Sequence, residues 1–205
     1  FAYDSTLKSK LSLPFIDAVF PTANKAGLIK TDNEIHGIIL KGVGKDYNWN
    51  YINSNLTLGN IPQYTDDERS NDVVISKIIA DKLLLNVGDD VRIWFVGEDM
   101  KTRGRKFSVK GIYETGLTEC DERFIYCDLN QIRRLNGWGN DYVGHLEIQL
   151  EDNVEVNEAN NFIYYSIPTN LVSYTTRELY PHIFDWLDLQ DMNVVIIIVL
   201  MLLVA

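Results

Sequence analysis

Asp72–Gly97 reads DVVISKIIADKLLLNVGDDVRIWFVG. Asp72–Ile75 is a short apolar run of strand length. Ser76 can cap a helix running to Leu85, which carries Ile78, Ile79 and Leu83 on one face. Gly88 suits the turn that ends it. Asp90–Gly97 returns to strand composition. Strand, helix and strand within so short a stretch predict an α+β fold. Downstream, Lys101–Lys106 (KTRGRK) is predicted as a basic hairpin tip. Phe107–Thr115 and Glu122–Asp128 follow as strands, and Leu129–Leu135 as a short helix.

Upstream lies Gln63–Asp72 (QYTDDERSND), polar apart from its tyrosine and predicted as a linker. Before it, an amphipathic stretch over Leu7–Phe20 is broken by Pro14. Strands are predicted over Asn24–Thr31 and Glu34–Gly42, with Asp32 and Asn33 as the turn. An aromatic, Asn-rich loop over Asp46–Asn55 leads to Leu56–Gly59. Gly137–Gly144 marks a second boundary. His145–Leu150 alternates as a strand, Glu155–Ser166 is predicted helical, and Leu171–Tyr174 a strand. Thr175 and Glu178 have capping-box spacing, which would leave Pro181 inside the helix and kink it. Pro181 is better placed in the first turn of a closing helix. The chain thus divides into an outer domain of 1–64 with 139–180, an insertion of 65–138, and a terminal helix of 181–205.

From Val194 to Ala205 every residue is apolar. A bilayer core needs roughly 20 apolar residues, so the run is too short to cross alone. We expect the beginning of a transmembrane helix, with an N-terminus that is also cut from a longer protein. A buried core helix is the rival reading, but such a helix usually keeps a polar face. Net charge is −10, with 29 acidic against 19 basic residues. That argues against a nucleic-acid binder, which would need a basic face, and against broad adhesion to anionic lipid.

Catalytic signatures are missing. His36, His145 and His182 are scattered, with no paired spacing for a metal, and there is no nucleophile elbow, P-loop or dinucleotide fingerprint. Gly42-Val43-Gly44-Lys45 has the look of a phosphate loop but lacks its remaining residues, so a turn at a strand end is expected. Glu119, Asp121 and Glu122 with Arg123 suggest a salt-bridged corner rather than a cation site. Cys120 and Cys127 have no second pair to build a zinc site, and free thiols are expected. No cofactor, metal or catalytic residue is assigned. Partner binding is assigned to Tyr47, Trp49 and Tyr51 in the aromatic loop, and to Lys101, Arg103 and Arg105 at the basic tip.

Five stretches in order resemble the first extracytoplasmic domain of bacterial ABC-transporter permeases of the MacB/FtsX type, in particular the lipoprotein-releasing permeases LolC and LolE. They are HGIILKGVGKDY (36–47), LTLGNIP (56–62), Asp72–Phe95, FSVKGIYETGLTECDERFIYCDLNQIRRL (107–135) and FDWLDLQDMNVVIIIVLMLLVA (184–205). Ser76 stands where the family often has Gly. The resemblance implies that 1–64 with 139–180 is an α/β Porter-like subdomain and 65–138 a mostly β, Sabre-like insertion. It implies a non-enzymatic domain on the periplasmic side of the inner membrane. Its expected partners are an ABC-type ATPase, a second permease copy or paralogue, and a lipoprotein or periplasmic chaperone. The rivals are a ligand-sensing domain, which predicts an enclosed pocket, a hydrolase using Glu119–Glu122, and a passive assembly domain.

Overall fold

A computed structural model describes residues 1–30, 35–96 and 102–204, with side chains to residue 202. The fold is mixed α+β, in the order α1 (Ser5–Lys10), β1 (Ile16–Lys30), β2 (Ile35–Val43), α2 (Asn50–Ser54), β3 (Leu56–Gly59), β4 (Asp72–Ser76), α3 (Lys77–Leu83), β5 (Asp90–Val96), β6 (Thr102–Tyr113), α4 (Thr118–Asp121), β7 (Phe124–Asp128), α5 (Leu129–Asn136), β8 (His145–Leu150), α6 (Val156–Ser166), α7 (Thr176–Leu179) and α8 (Pro181–Val204).

Contacts divide the chain into two compact units. One comprises Phe1–Ser5 and Ala18–Gln149, the other Thr6–Asp17 and Leu150–Ala205. These limits differ from the boundaries drawn at 64/65 and 138/139 on the sequence. In the first unit β1 pairs β2 antiparallel along Thr22–Lys30 and meets β5 at Leu28 and Ile29. β2 pairs β7 in parallel, β7 pairs β4, β4 pairs β6 and β6 pairs β5. Six strands therefore close on themselves, which removes the free edges that otherwise invite further pairing. β3 adds to β6, and β8 to β1.

Alternation along these strands sorts their side chains. Leu40, Val73, Ile75, Ile93, Phe95, Phe107, Val109 and Ile125 face one core together with Ile79 and Leu83 of α3 and Leu129 and Ile132 of α5. Each such side chain, fully buried, contributes about 1.5–3 kcal/mol relative to exposure. Val74 and Tyr113 join Ile52 in a second cluster, against Trp49, Leu56, Ile61 and Tyr126. Helix α3 starts as expected, with the Ser76 hydroxyl accepting from the Ile79 N–H at 3.1 Å.

Several elements differ from the sequence reading. The tip residues Thr102–Lys106 are strand, because β6 runs on to pair Val96 with Thr102. Lys101 and the 32–33 turn lie outside the described residues. The stretch 63–71 is irregular but tied down. Ser70 N–H donates to the Asp128 carboxylate at 2.9 Å, and Gln131 Nε2 donates to the Ser70 carbonyl at 2.9 Å and to Asn71 Oδ1 at 2.8 Å. These bonds, two of them to the Ser70 backbone, make the stretch a strap rather than a free linker. Leu171–Tyr174 is not a strand.

In the second unit, Phe15 packs edge-on against Phe162 at 5.6 Å. Thr175 and Glu178 do form a capping box, on the short α7, and Pro181 opens the separate α8. Two helices thus satisfy both signals without a kink. Arg177 joins them through a two-pronged pair with Asp188 (2.9 and 3.2 Å) and lies 5.1 Å from the Phe184 ring centre. Among the described residues no helix is long and apolar enough to cross a membrane. In α8 every side chain from Val194 to Leu202 is 48–74 % exposed.

Candidate functional site

The aromatic loop leaves β2 at Gly44 and folds back onto the outer face of the first unit. Tyr47 stacks edge-on against Phe20 at 5.7 Å and Trp49 at 5.3 Å. Trp49 also meets Tyr64 and Tyr126, at 6.1 and 5.6 Å. Aromatic pairs at such separations contribute about 0.5–1.5 kcal/mol beyond their buried area. Tyr47 and Trp49 are thus half-buried structural partners, whereas Tyr51, on α2, is 56 % exposed.

Lys41 lies at the centre of this cluster, a residue that sequence reasoning did not single out. Its ammonium donates to Glu147 Oε1 at 2.7 Å and to the Tyr47 hydroxyl at 3.1 Å. It also lies 5.3 Å from the Tyr47 ring centre and 5.4 Å from that of Tyr126. Burial pushes the Glu147 carboxyl up, but His145 (3.7 Å away) and Lys41 outweigh it and hold the group below its ordinary value. Burial, then the Glu147 charge, pushes the Tyr47 hydroxyl far up, so it stays protonated. The signal for this site was the alternation of HLEIQL, which sets His145, Glu147 and Gln149 on one face.

The arginines expected at the basic tip instead lie along β6. Arg103 pairs with Phe95 and Arg105 with Ile93 across the ladder. Residues directly opposite share a face, so both arginines line up with Phe107 and Val109, toward the core. Arg103 is exposed and Arg105 half-buried. Lys106 points the other way and pairs with Asp90 at 2.7 Å.

The remaining motifs have structural roles. Asp121 is buried, and its carboxylate accepts from Thr115 N–H (3.0 Å), Gly116 N–H (3.1 Å) and the Thr115 hydroxyl (2.7 Å). The expected salt-bridged corner is therefore a turn tied by one carboxylate to backbone donors. Among the described residues no group of three or more His, Cys, Asp or Glu is placed to hold a metal. Gly42 in the phosphate-loop look-alike is a packing glycine. A β-carbon there would fall 2.9 Å from the Leu129 backbone and 2.8 Å from Ile132 Cδ1, so its absence seats α5 on β2. Cys120 is half-buried and Cys127 buried, both as free thiols. A hollow lined by Asn24, Lys25, Gly27, Leu28, Trp94 and Val96 is open rather than enclosed.

No curated protein matches the chain. Among solved structures, it resembles the periplasmic region of MacB from Actinobacillus actinomycetemcomitans, with a TM-score of 0.51 at 16% identity over 78% of this chain and 70% of that one. It also resembles the extracellular domain of YknZ, a noncanonic ABC-type transporter from Gram-positive bacteria, with a TM-score of 0.55 at 18% identity over 83% of each chain. These likenesses establish the fold. The family model of the MacB-like periplasmic core domain matches residues 2–163. By that match the chain belongs to the MacB-like periplasmic core domains, the extracytoplasmic part of MacB/FtsX-type ABC-transporter permeases.

Proposed function

We propose that this domain relays the stroke of a cytoplasmic ATPase to the periplasmic side of a bacterial inner membrane, and there moves or hands over a lipoprotein or another hydrophobic cargo. The observation that carries this reading is α8, whose apolar run is exposed on all sides. A helix that is hydrophobic all round needs cover. On this reading the cover is the bilayer, and residues 181–205 are a stalk and the start of a transmembrane helix. The Arg177–Asp188 pair would then couple the stalk to α7.

In the permease a second copy or a paralogue completes a dimer. Residues 1–64 with 139–180 would be the Porter-like part and 65–138 the Sabre-like part, although β1, β2 and β4–β7 share one closed sheet. Partner contact falls to Tyr51, the most exposed of the aromatic trio, and to Lys101, Arg103 and Arg105. Tyr47 and Trp49 support the loop that carries Tyr51. The domain itself is non-catalytic, as is usual for its family.

The test is reconstitution of the permease with its ATPase in lipid, followed by ATP-dependent release of a radiolabelled lipoprotein to a periplasmic chaperone. Release that stops when ATP is withheld supports the reading. Robust ATP turnover with no lipoprotein released removes the lipoprotein branch.

A further inference from the structure

Three arginines far apart in sequence converge on one end of the first unit. The parallel ladder pairs Asp72 of β4 with Ser108 of β6. Three residues back along each chain are Arg69 and Arg105, and the Ser108 N–H to Asn71 carbonyl bond (2.9 Å) keeps the segments alongside each other. Helix α5 supplies the third. Gln131 is buried and binds the backbone of Ser70 and the side chain of Asn71. Arg134, one turn on, projects from the same face.

None of the ion pairs among the described residues involves these three side chains. Arg105 Nε is shielded from solvent and has no hydrogen-bond partner. A buried donor left unpaired is costly. Asp128 is the carboxylate that Arg69 feels, but gathered like charges are costly, and the neighbouring Arg69 and Arg105 guanidiniums hold Arg134 below its ordinary pKa. The chain as a whole carries a charge of −10, so nothing in its average composition calls for such a gathering.

We infer that Arg69, Arg105 and Arg134 form a binding site for a phosphate group, either free or borne on a lipid as a phosphomonoester. Guanidinium forks match the oxygens of phosphate. A dianion with three or more acceptor oxygens suits three guanidiniums better than a single carboxylate, which carries one charge on two oxygens. The ligand would supply the acceptor that Arg105 Nε lacks and offset the repulsion at Arg134. The site shares no residue with the Lys41–Glu147 cluster.

The test uses the full chain in a neutral maltoside detergent. Inorganic phosphate is titrated by calorimetry against sodium chloride of matched ionic strength. A saturable heat with phosphate alone is expected. Arg134→Gln, exposed and outside the core, should weaken binding roughly tenfold or more, and Arg134→Lys by less because it keeps the charge. Arg105→Gln should do the same, with an unchanged circular-dichroism spectrum as the check on folding. Flotation with phosphatidylcholine vesicles, with and without phosphatidic acid, separates the sources. Capture by phosphatidic acid that is lost in Arg134→Gln assigns a lipid phosphate, and binding of free phosphate alone assigns a soluble one. The proposal is overturned if chloride reproduces the phosphate signal, if Arg134→Gln and Arg105→Gln bind phosphate as the wild type does, or if neither phosphate nor vesicles bind.

Discussion

Leu84 ends α3 in the left-handed region, at φ 53° and ψ 43°, with 86 % of its surface exposed. A β-carbon there crowds the following carbonyl, at a cost of roughly 1–2 kcal/mol, and glycine is the usual occupant. Leu84→Gly should stabilise the domain by about 1 kcal/mol, since it relieves the strain and removes almost no packing. A urea midpoint that falls in the variant would refute this. Glu147 makes a prediction in pH. Its carboxyl is held below the ordinary value when folded, so it contributes stability above the unfolded pKa of about 4.3. That contribution is lost as pH falls through the folded value. Glu147→Gln should therefore lower the melting temperature at pH 7, and the gap from wild type should close below about pH 4. A gap that stays constant from pH 7 to pH 3 would assign the effect to shape rather than charge.

Among the elements, the strap over 63–71 depends on Asp128. This buried carboxylate takes the Ser70 N–H through one oxygen and caps α5 by accepting from Asn130 N–H, at 2.9 Å, through the other. Asp128→Ala should cost about 2 kcal/mol or more, the sum of a lost cap and an orphaned donor. Proteolysis should then begin within 65–71, and cutting confined to other loops would argue against the strap. Much of the element pattern was legible beforehand. Ser76, Thr175 with Glu178, and Pro181 marked helix starts because capping is a local event between residues three apart. Strand partners were not legible. Alternation tells which face of β2 is apolar, but not that its far edge meets β7. Local composition also misled at Thr102–Lys106, where cationic residues suggested a solvated tip but the ladder with β5 continues. Arg69 and Arg134 escaped notice, and Arg105 was read only as part of that tip, for the same reason: only the β4–β6 register and the Gln131 bonds bring the three together.

For the whole molecule, closure of six strands means that no strand of the ring can leave alone without opening two seams. Amides of β2 and β6 should therefore exchange with solvent hydrogen at one common opening free energy, as members of a single cooperative unit. Exchange from β2 much faster than from β6 would show that the ring opens piecemeal. The same closure bears on how the protein is made. Ile39 of β2 waits for Phe124 of β7, roughly 85 residues later. At about 5–20 residues per second, that delay is on the order of 4–17 seconds. Until β5 is made, the β1–β2 hairpin leaves the ribosome with both outer edges bare, and the β2 edge stays bare through the whole interval, carrying the self-association hazard that the finished ring no longer has. The growing chain is thus most vulnerable in the part that is best protected once complete, and a chaperone that shields nascent strand edges should raise its yield more than one that acts on the finished domain.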